Sequence, residues 1–134
     1  MHSQLDFDDR IHVELTDKII KCFFEVYNDL GYGFLEKVYE NAMVVELTKN
    51  GLIAETQKRI EVFYKGSKVG EYYADIVVND SVIIELKATE DVIKDHEYQL
   101  LNYLKATEME VGLLFNFGKK PTIRRKVYPN CRKS

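Results

Sequence analysis

The stretch that decides the fold is Tyr72-Tyr73-Ala74-Asp75-Ile76-Val77-Val78-Asn79-Asp80-Ser81-Val82-Ile83-Ile84-Glu85-Leu86-Lys87. Two runs rich in β-branched residues flank Asn79-Asp80-Ser81, a composition that turns the chain, so the stretch reads as an antiparallel hairpin. With the turn centred on Asp80, Asp75 and Glu85 stand directly opposite one another, and opposed Cβ atoms lie about 4.5–5.5 Å apart. Alternation places Tyr73, Asp75, Glu85 and Lys87 on one face. The other carries Tyr72, Ala74, Ile76, Val78, Val82, Ile84 and Leu86, which is the expected core side. Two facing carboxylates repel, but a divalent cation turns that liability into a site because hard cations want clustered oxygen ligands. The plain alternative is a solvated strand face on which an Asp, a Glu and a Lys partly neutralise each other.

Outward from the hairpin, Ala54 to Tyr64 alternates with period two and reaches a turn at Lys65-Gly66-Ser67. The second strand is then expected over Val69–Asn79 and the third over Val82–Lys87. Upstream, Ile11, Leu15, Ile19, Cys22, Phe23, Val26, Tyr27 and Leu30 recur at helical spacing until Gly31-Tyr32-Gly33 breaks the pattern. A second helix is expected over Leu35–Lys49, with Val38, Ala42, Val45 and Leu47 among its apolar positions and Asn50-Gly51 as its stop. Downstream, Asp91 is the expected N-cap of a helix over Val92–Lys105. There His96, Gln99 and Tyr103 form a polar-aromatic stripe beside an apolar one of Val92, Leu100, Leu101 and Leu104. Val111–Phe117 reads as a buried strand and Thr122–Tyr128 as a last one. The order gives an α/β or α+β domain, a mixed sheet flanked by helices.

Composition sets the bounds. The 134 residues suit a single domain, 1–134, and 46% hydrophobic with 31% charged residues is ordinary globular usage. No apolar run approaches the ~18 residues of a membrane helix. The first ten residues lack a basic flank followed by an apolar stretch, so no signal peptide is expected. Two cysteines 109 positions apart make neither a disulfide framework nor a zinc pattern, and a cytoplasmic setting is the default expectation. Net charge is −3, yet residues 119–134 hold seven basic residues and no acidic one. Such a basic end suits a polyanion, or serves as a solubilising segment.

Asp75, then Glu85-Leu86-Lys87, then Gln99-Leu-Leu-Asn-Tyr103 resembles the active-site signature of the PD-(D/E)xK nuclease superfamily with its QxxxY extension. Gly33-Phe-Leu-Glu36-Lys-Val-Tyr39 also resembles the motif naming the GxxExxY proteins of that superfamily. The resemblance implies a restriction-endonuclease-like αβββαβ core and metal-dependent cleavage of phosphodiester bonds, in DNA rather than RNA. It implies Asp75 and Glu85 as the principal Mg²⁺ ligands (Mn²⁺ substituting), joined by the Leu86 carbonyl, with Glu36 from the second helix reaching the same cluster as an additional ligand or water positioner. Lys87 would orient or help deprotonate the attacking water and offset charge on the phosphate. Gln99 and Tyr103 would brace the site or touch the scissile phosphate. Ala74 stands where the superfamily's name has Pro, a departure that removes no ligand. Alone, Glu36 and Tyr39 also read as an exposed Glu beside a core Tyr, and His96 as a surface residue. With no separate recognition module, specificity would come from a homodimer or a partner protein. The competing functional reading is a catalytically silent nucleic-acid-binding or accessory domain on the same fold.

Overall fold

The computed structural model describes residues 11–133; the reading of the first ten residues as leaderless lies outside the described residues. Two helices come first, α1 (Val13–Leu30) and α2 (Glu36–Lys49). Three strands follow, β1 (Ala54–Tyr64), β2 (Ser67–Val78) and β3 (Val82–Lys87), then α3 (Lys94–Lys105), β4 (Val111–Phe117) and β5 (Pro121–Val127). The five strands form one sheet in the order β1-β2-β3-β4-β5. Only β3 and β4 run parallel. A parallel pair needs a crossover, and α3 supplies it. This is the expected mixed sheet flanked by helices. Among the described residues, no helix is long and apolar enough to cross a membrane.

The β2–β3 turn sits where the sequence puts it. Asn79 and Asp80 both have φ of 51°, the left-handed backbone of a tight turn closed by the Ser81 N–H donating to the Val78 carbonyl at 2.9 Å. The register Val78↔Val82, Val77↔Ile83, Ile76↔Ile84 is symmetric about Asp80.

Helices cover both faces of the sheet, which corrects the one-sided core. On one face α1 and α2 press Ile19, Phe23, Tyr39, Met43 and Leu47 onto Ile76, Val78, Ile84, Leu86, Phe115 and Phe117. On the other, Leu100, Tyr103 and Leu104 of α3 cover Ile60, Ala74, Val77, Ile83 and Leu114. Ala74 and Val77 share a cluster although they are three apart, so strict alternation slips near Asp75. The slip lies opposite Gln57, whose φ is 52° and which the β1–β2 ladder skips between Thr56↔Ile76 and Lys58↔Ala74. Tyr72, expected in the core, is consequently half exposed beside α3.

Two further expectations need correction. In α2 the buried residues are Tyr39, Glu40, Met43 and Leu47, whereas Val38 and Val45 are exposed. Helix α3 begins at Lys94 with Ile93 as its N-cap residue, not at Val92 behind Asp91. The Asp91 carbonyl instead accepts from the Thr89 hydroxyl at 2.9 Å, and His96 Nδ1 accepts the Ile93 N–H at 3.4 Å, satisfying an end-of-helix donor.

The basic end is part of the fold. Arg124 and Lys126 of β5 reach Glu97 of α3 at 4.0 and 2.7 Å. Arg125 points to the opposite face, where it donates to the Ile11 carbonyl at 2.5 Å. Lys133 Nζ donates to the Thr107 and Met109 carbonyls at 2.7 and 2.9 Å. Arg124, Arg125, Lys126 and Lys133 are thus engaged within the domain.

Candidate active site

The β2–β3 ladder stops at Ile76↔Ile84, although β3 continues its parallel ladder with β4 as far as Lys87↔Asn116. At the point where β2 departs, side chains take up the backbone groups left over. The Leu86 N–H donates to Asp75 Oδ2 at 2.8 Å, and the Asp75 N–H to Glu85 Oε1 at 3.4 Å. Each carboxylate is therefore anchored by the other strand's backbone, which holds the two together.

Glu85 is 8% exposed. Burial, then the Asp75 charge and the hydrogen bond between the two carboxyls, pushes its pKa up to about 9; the Asp75 N–H and Lys87 work weakly against this. Among the described residues, neither carboxylate has a Lys, Arg or His nitrogen within 4.0 Å. A buried acid beside a like charge, with no ion-pair partner, is a costly arrangement that a cation would relieve.

Lys87 closes β3, half buried. Its exit is fixed by a residue the sequence did not flag. Asn116, 1% exposed, accepts from the Thr89 N–H and donates to the Thr89 carbonyl, both at 3.0 Å. Gly118 completes this clamp, because a Cβ there would lie 2.7 Å from the Thr89 carbonyl oxygen and 3.0 Å from Asn116 Nδ2. The signal was faint: a lone Asn inside an apolar strand must find a buried partner, but its partner lies 27 residues away.

Glu36 is the first residue of α2, and Tyr39 secures the loop that delivers it. The Tyr39 hydroxyl donates to the Gly31 carbonyl at 2.7 Å and accepts from the Phe34 N–H at 3.2 Å. Its fully buried ring stacks on Phe117 at 4.0 Å between centroids. Between these anchors Gly33 has φ of 110°, a conformation L side chains rarely adopt. Gly33, Glu36 and Tyr39 thus act as a unit: a permissive turn, a presented carboxylate and a pin. Tyr39 is structural in this arrangement.

Glu36 lines a hollow of about 160 Å³ together with Lys37, Glu40, Gln57, Asp75 and Leu86. It stays exposed at the rim. Among the described residues no three His, Cys, Asp or Glu side chains gather closely enough to form a ready metal cage. The expectation that Glu36 reaches the carboxylate pair therefore holds only to the extent of a shared hollow with Asp75. The deeper acid is Glu40, 4% exposed and absent from the sequence reading. It accepts from Lys37 Nζ at 2.5 Å and from Gln57 Nε2 at 2.6 Å. Its signal was available, since Glu36, Glu40, Met43 and Leu47 follow one helical stripe that turns from acidic to apolar.

Tyr103 approaches from α3, 6% exposed. Its pKa is pushed up to about 12 by burial first, then by Glu85, Tyr72 and Asp75, with a hydrogen bond to Gln99 working against the shift. The hydroxyl is therefore a neutral group facing the acidic pair. Gln99 lies exposed one turn earlier. The structure thus brings Asp75 and Glu85 together, places Lys87 and Tyr103 within electrostatic reach of Glu85, keeps Gln99 beside Tyr103, and leaves Glu36 at the edge.

A family model for the PD-(D/E)XK nuclease superfamily matches residues 13–126. The chain belongs to that superfamily. Its members are usually nucleases and typically use divalent metals such as Mg²⁺. Among solved structures, SSO0001 resembles this chain with a TM-score of 0.57 and 22% identity, over 69% of this chain and 50% of that one. The chain therefore spans about half of SSO0001, and the likeness concerns the fold. No curated protein matches. The site suits the superfamily's metal: Asp75 lines an open hollow with the buried Glu85 beside it, neither in an ion pair among the described residues, and Mg²⁺ prefers a few carboxylate oxygens with retained waters.

Proposed function

We propose that this PD-(D/E)XK protein is a metal-dependent nuclease that hydrolyses phosphodiester bonds in DNA, with Mg²⁺ as cofactor and Mn²⁺ able to replace it. The observation that carries the reading is the parting of β2 and β3 at Asp75, which leaves two anchored carboxylates facing each other with Lys87 two residues beyond Glu85. A solvated strand face would not bury Glu85 beside Asp75 without a Lys or Arg nitrogen in ion-pair reach.

In this reading Asp75 and Glu85 hold the metal, with the Leu86 carbonyl as a further oxygen ligand and Glu36 positioning water from the rim. The bound cation would supply charge stabilisation at the phosphoryl oxygens and lower the pKa of water. Lys87 orients the attacking water and meets the negative charge that builds on the phosphate. The Asn116 clamp keeps Lys87 in place, so that this stabilisation needs little reorganisation. Tyr103, protonated at neutral pH, donates to an anion rather than competing for the metal, and Gln99 sets its orientation. Glu40 has its oxygens engaged by Lys37 and Gln57, and it shapes the floor of the hollow.

The test is cleavage of single- and double-stranded DNA and RNA by the purified chain with Mg²⁺, Mn²⁺ or EDTA. DNA is expected to be cut with either metal, and cutting to vanish with EDTA and in Asp75→Asn. Binding without cleavage under every metal would replace this reading with the silent nucleic-acid-binding domain.

A further inference from the structure

Beside the candidate active site, on the α3 face of the sheet, lies a second and larger cavity of about 880 Å³. It runs between α3 and the outer half of the β1–β2 hairpin. Phe63 and Tyr72 line one wall, and His96, Tyr98, Gln99 and Tyr103 line the other. Phe63 and Tyr98 are each 59% exposed and Tyr72 is 46% exposed, a large outlay of aromatic surface for which the fold has no use. Tyr72 and Tyr103 meet at the inner end with ring centroids 5.4 Å apart. Tyr103 and Gln99, placed above in the candidate active site, also line this groove and are the residues the two share.

We propose that this groove receives unpaired bases of the substrate strand next to the scissile phosphate, so that the enzyme acts on single-stranded or frayed DNA in preference to intact duplex. This rests on the nuclease reading for the word substrate, but the base-binding claim stands separately. Duplex DNA keeps its base faces stacked inside the helix and shows a protein its phosphates, which call for a row of Lys and Arg. The groove offers the reverse. Its lining acids Glu61 and Asp95 face a single lysine, Lys105, whose Nζ sits over the Tyr128 ring at 5.4 Å. Aromatic walls with little net charge select for the π-face of a base, and every base has one. A volume within the ~300–1,000 Å³ of ordinary ligand sites accommodates a base or two rather than a duplex.

The test uses a fluorescently labelled 12-nucleotide DNA single strand and its duplex, with the native chain and with Phe63→Ala/Tyr98→Ala. Both residues are exposed, so the variant is expected to fold as the native chain does, and circular dichroism checks this. Anisotropy in EDTA reads binding without cleavage. The native chain should bind the single strand more tightly than the duplex, and the variant should lose at least ~10-fold on the single strand only, as expected for lost base–aromatic stacking. In Mg²⁺, the variant's KM for the single strand should rise with kcat nearly unchanged. Equal affinity of native and variant for the single strand would overturn the proposal even if the native chain cuts DNA. So would a variant that changes only the oligomeric state, which would mark the groove as a protein interface. If the native chain binds by this pattern but never cleaves, the groove inference stands and the nuclease reading falls.

Discussion

Replacing the acidic pair by neutral amides, Asp75→Asn/Glu85→Gln, tests the metal claim through stability and needs no substrate. The native Glu85 carboxyl has its pKa pushed up to about 9, against about 4.3 in an unfolded chain. The folded state therefore holds a proton that the unfolded state has released at intermediate pH. Stability from this group is intact below about pH 4.3 and drains away as pH rises towards 9. The metal-free native chain should accordingly melt at falling temperature across that window, and the double variant, with nothing to titrate there, should lose that slope. A divalent cation binds the deprotonated pair, so its effect should grow with pH, by up to ~10-fold in apparent affinity per unit below about 9. At a hundredfold excess over Kd, binding to the folded form alone adds about 2.7 kcal/mol. For a domain of 134 residues, with an unfolding entropy near 2.1 cal/mol/K per residue, that corresponds to roughly 10 °C in Tm. Differential scanning fluorimetry between pH 5 and 9, with Mg²⁺, Mn²⁺ or EDTA, reads both effects. A metal-free native chain whose Tm does not fall towards pH 9 would refute the electrostatic reasoning, and equal metal shifts in native and variant would place the cation elsewhere.

Two further outcomes follow from the residues that hold the site. Asn116→Ala removes both bonds to Thr89 and should cost about 1–3 kcal/mol in urea unfolding, because buried polar groups are left unpaired; its nuclease activity should fall although both carboxylates remain. Tyr39→Phe keeps the stack on Phe117 but loses the bonds to Gly31 and Phe34. It should cost about 1–2 kcal/mol and speed amide exchange in residues 31–35, while the metal-induced Tm shift stays within a few degrees of native.

The hairpin and its register were legible because Asn79 and Asp80 both accept left-handed backbone and because apolar residues flank them on either side. That fixed Asp75 against Glu85. The second helical layer was not legible in the hairpin: alternation hides a core on both faces, and the slip opposite Gln57 leaves no mark in the sequence. Helix α2 misled because its buried stripe contains Glu40, which the apolar pattern passes over in favour of the exposed Val38 and Val45. The α3 start was displaced because His96, three residues beyond Ile93, can serve as a capping acceptor. Asn116 and Gly118 belong to a contact across 27 residues, which spacing rules do not reach. The motifs located the carboxylate pair and Tyr103; they did not reach Asn116 and Gly118, which hold the surrounding chain in place.

The central claim is that Lys87 acts on the reacting water and the charge that follows from its attack, not on binding. Single-turnover cleavage of saturating labelled DNA by Lys87→Ala, beside the native chain in Mg²⁺, tests this most directly. The cleavage rate should drop by roughly 10²- to 10⁴-fold, with DNA affinity and Tm close to native. Cleavage by Lys87→Ala at the native rate would contradict the account and assign any nuclease activity to another site.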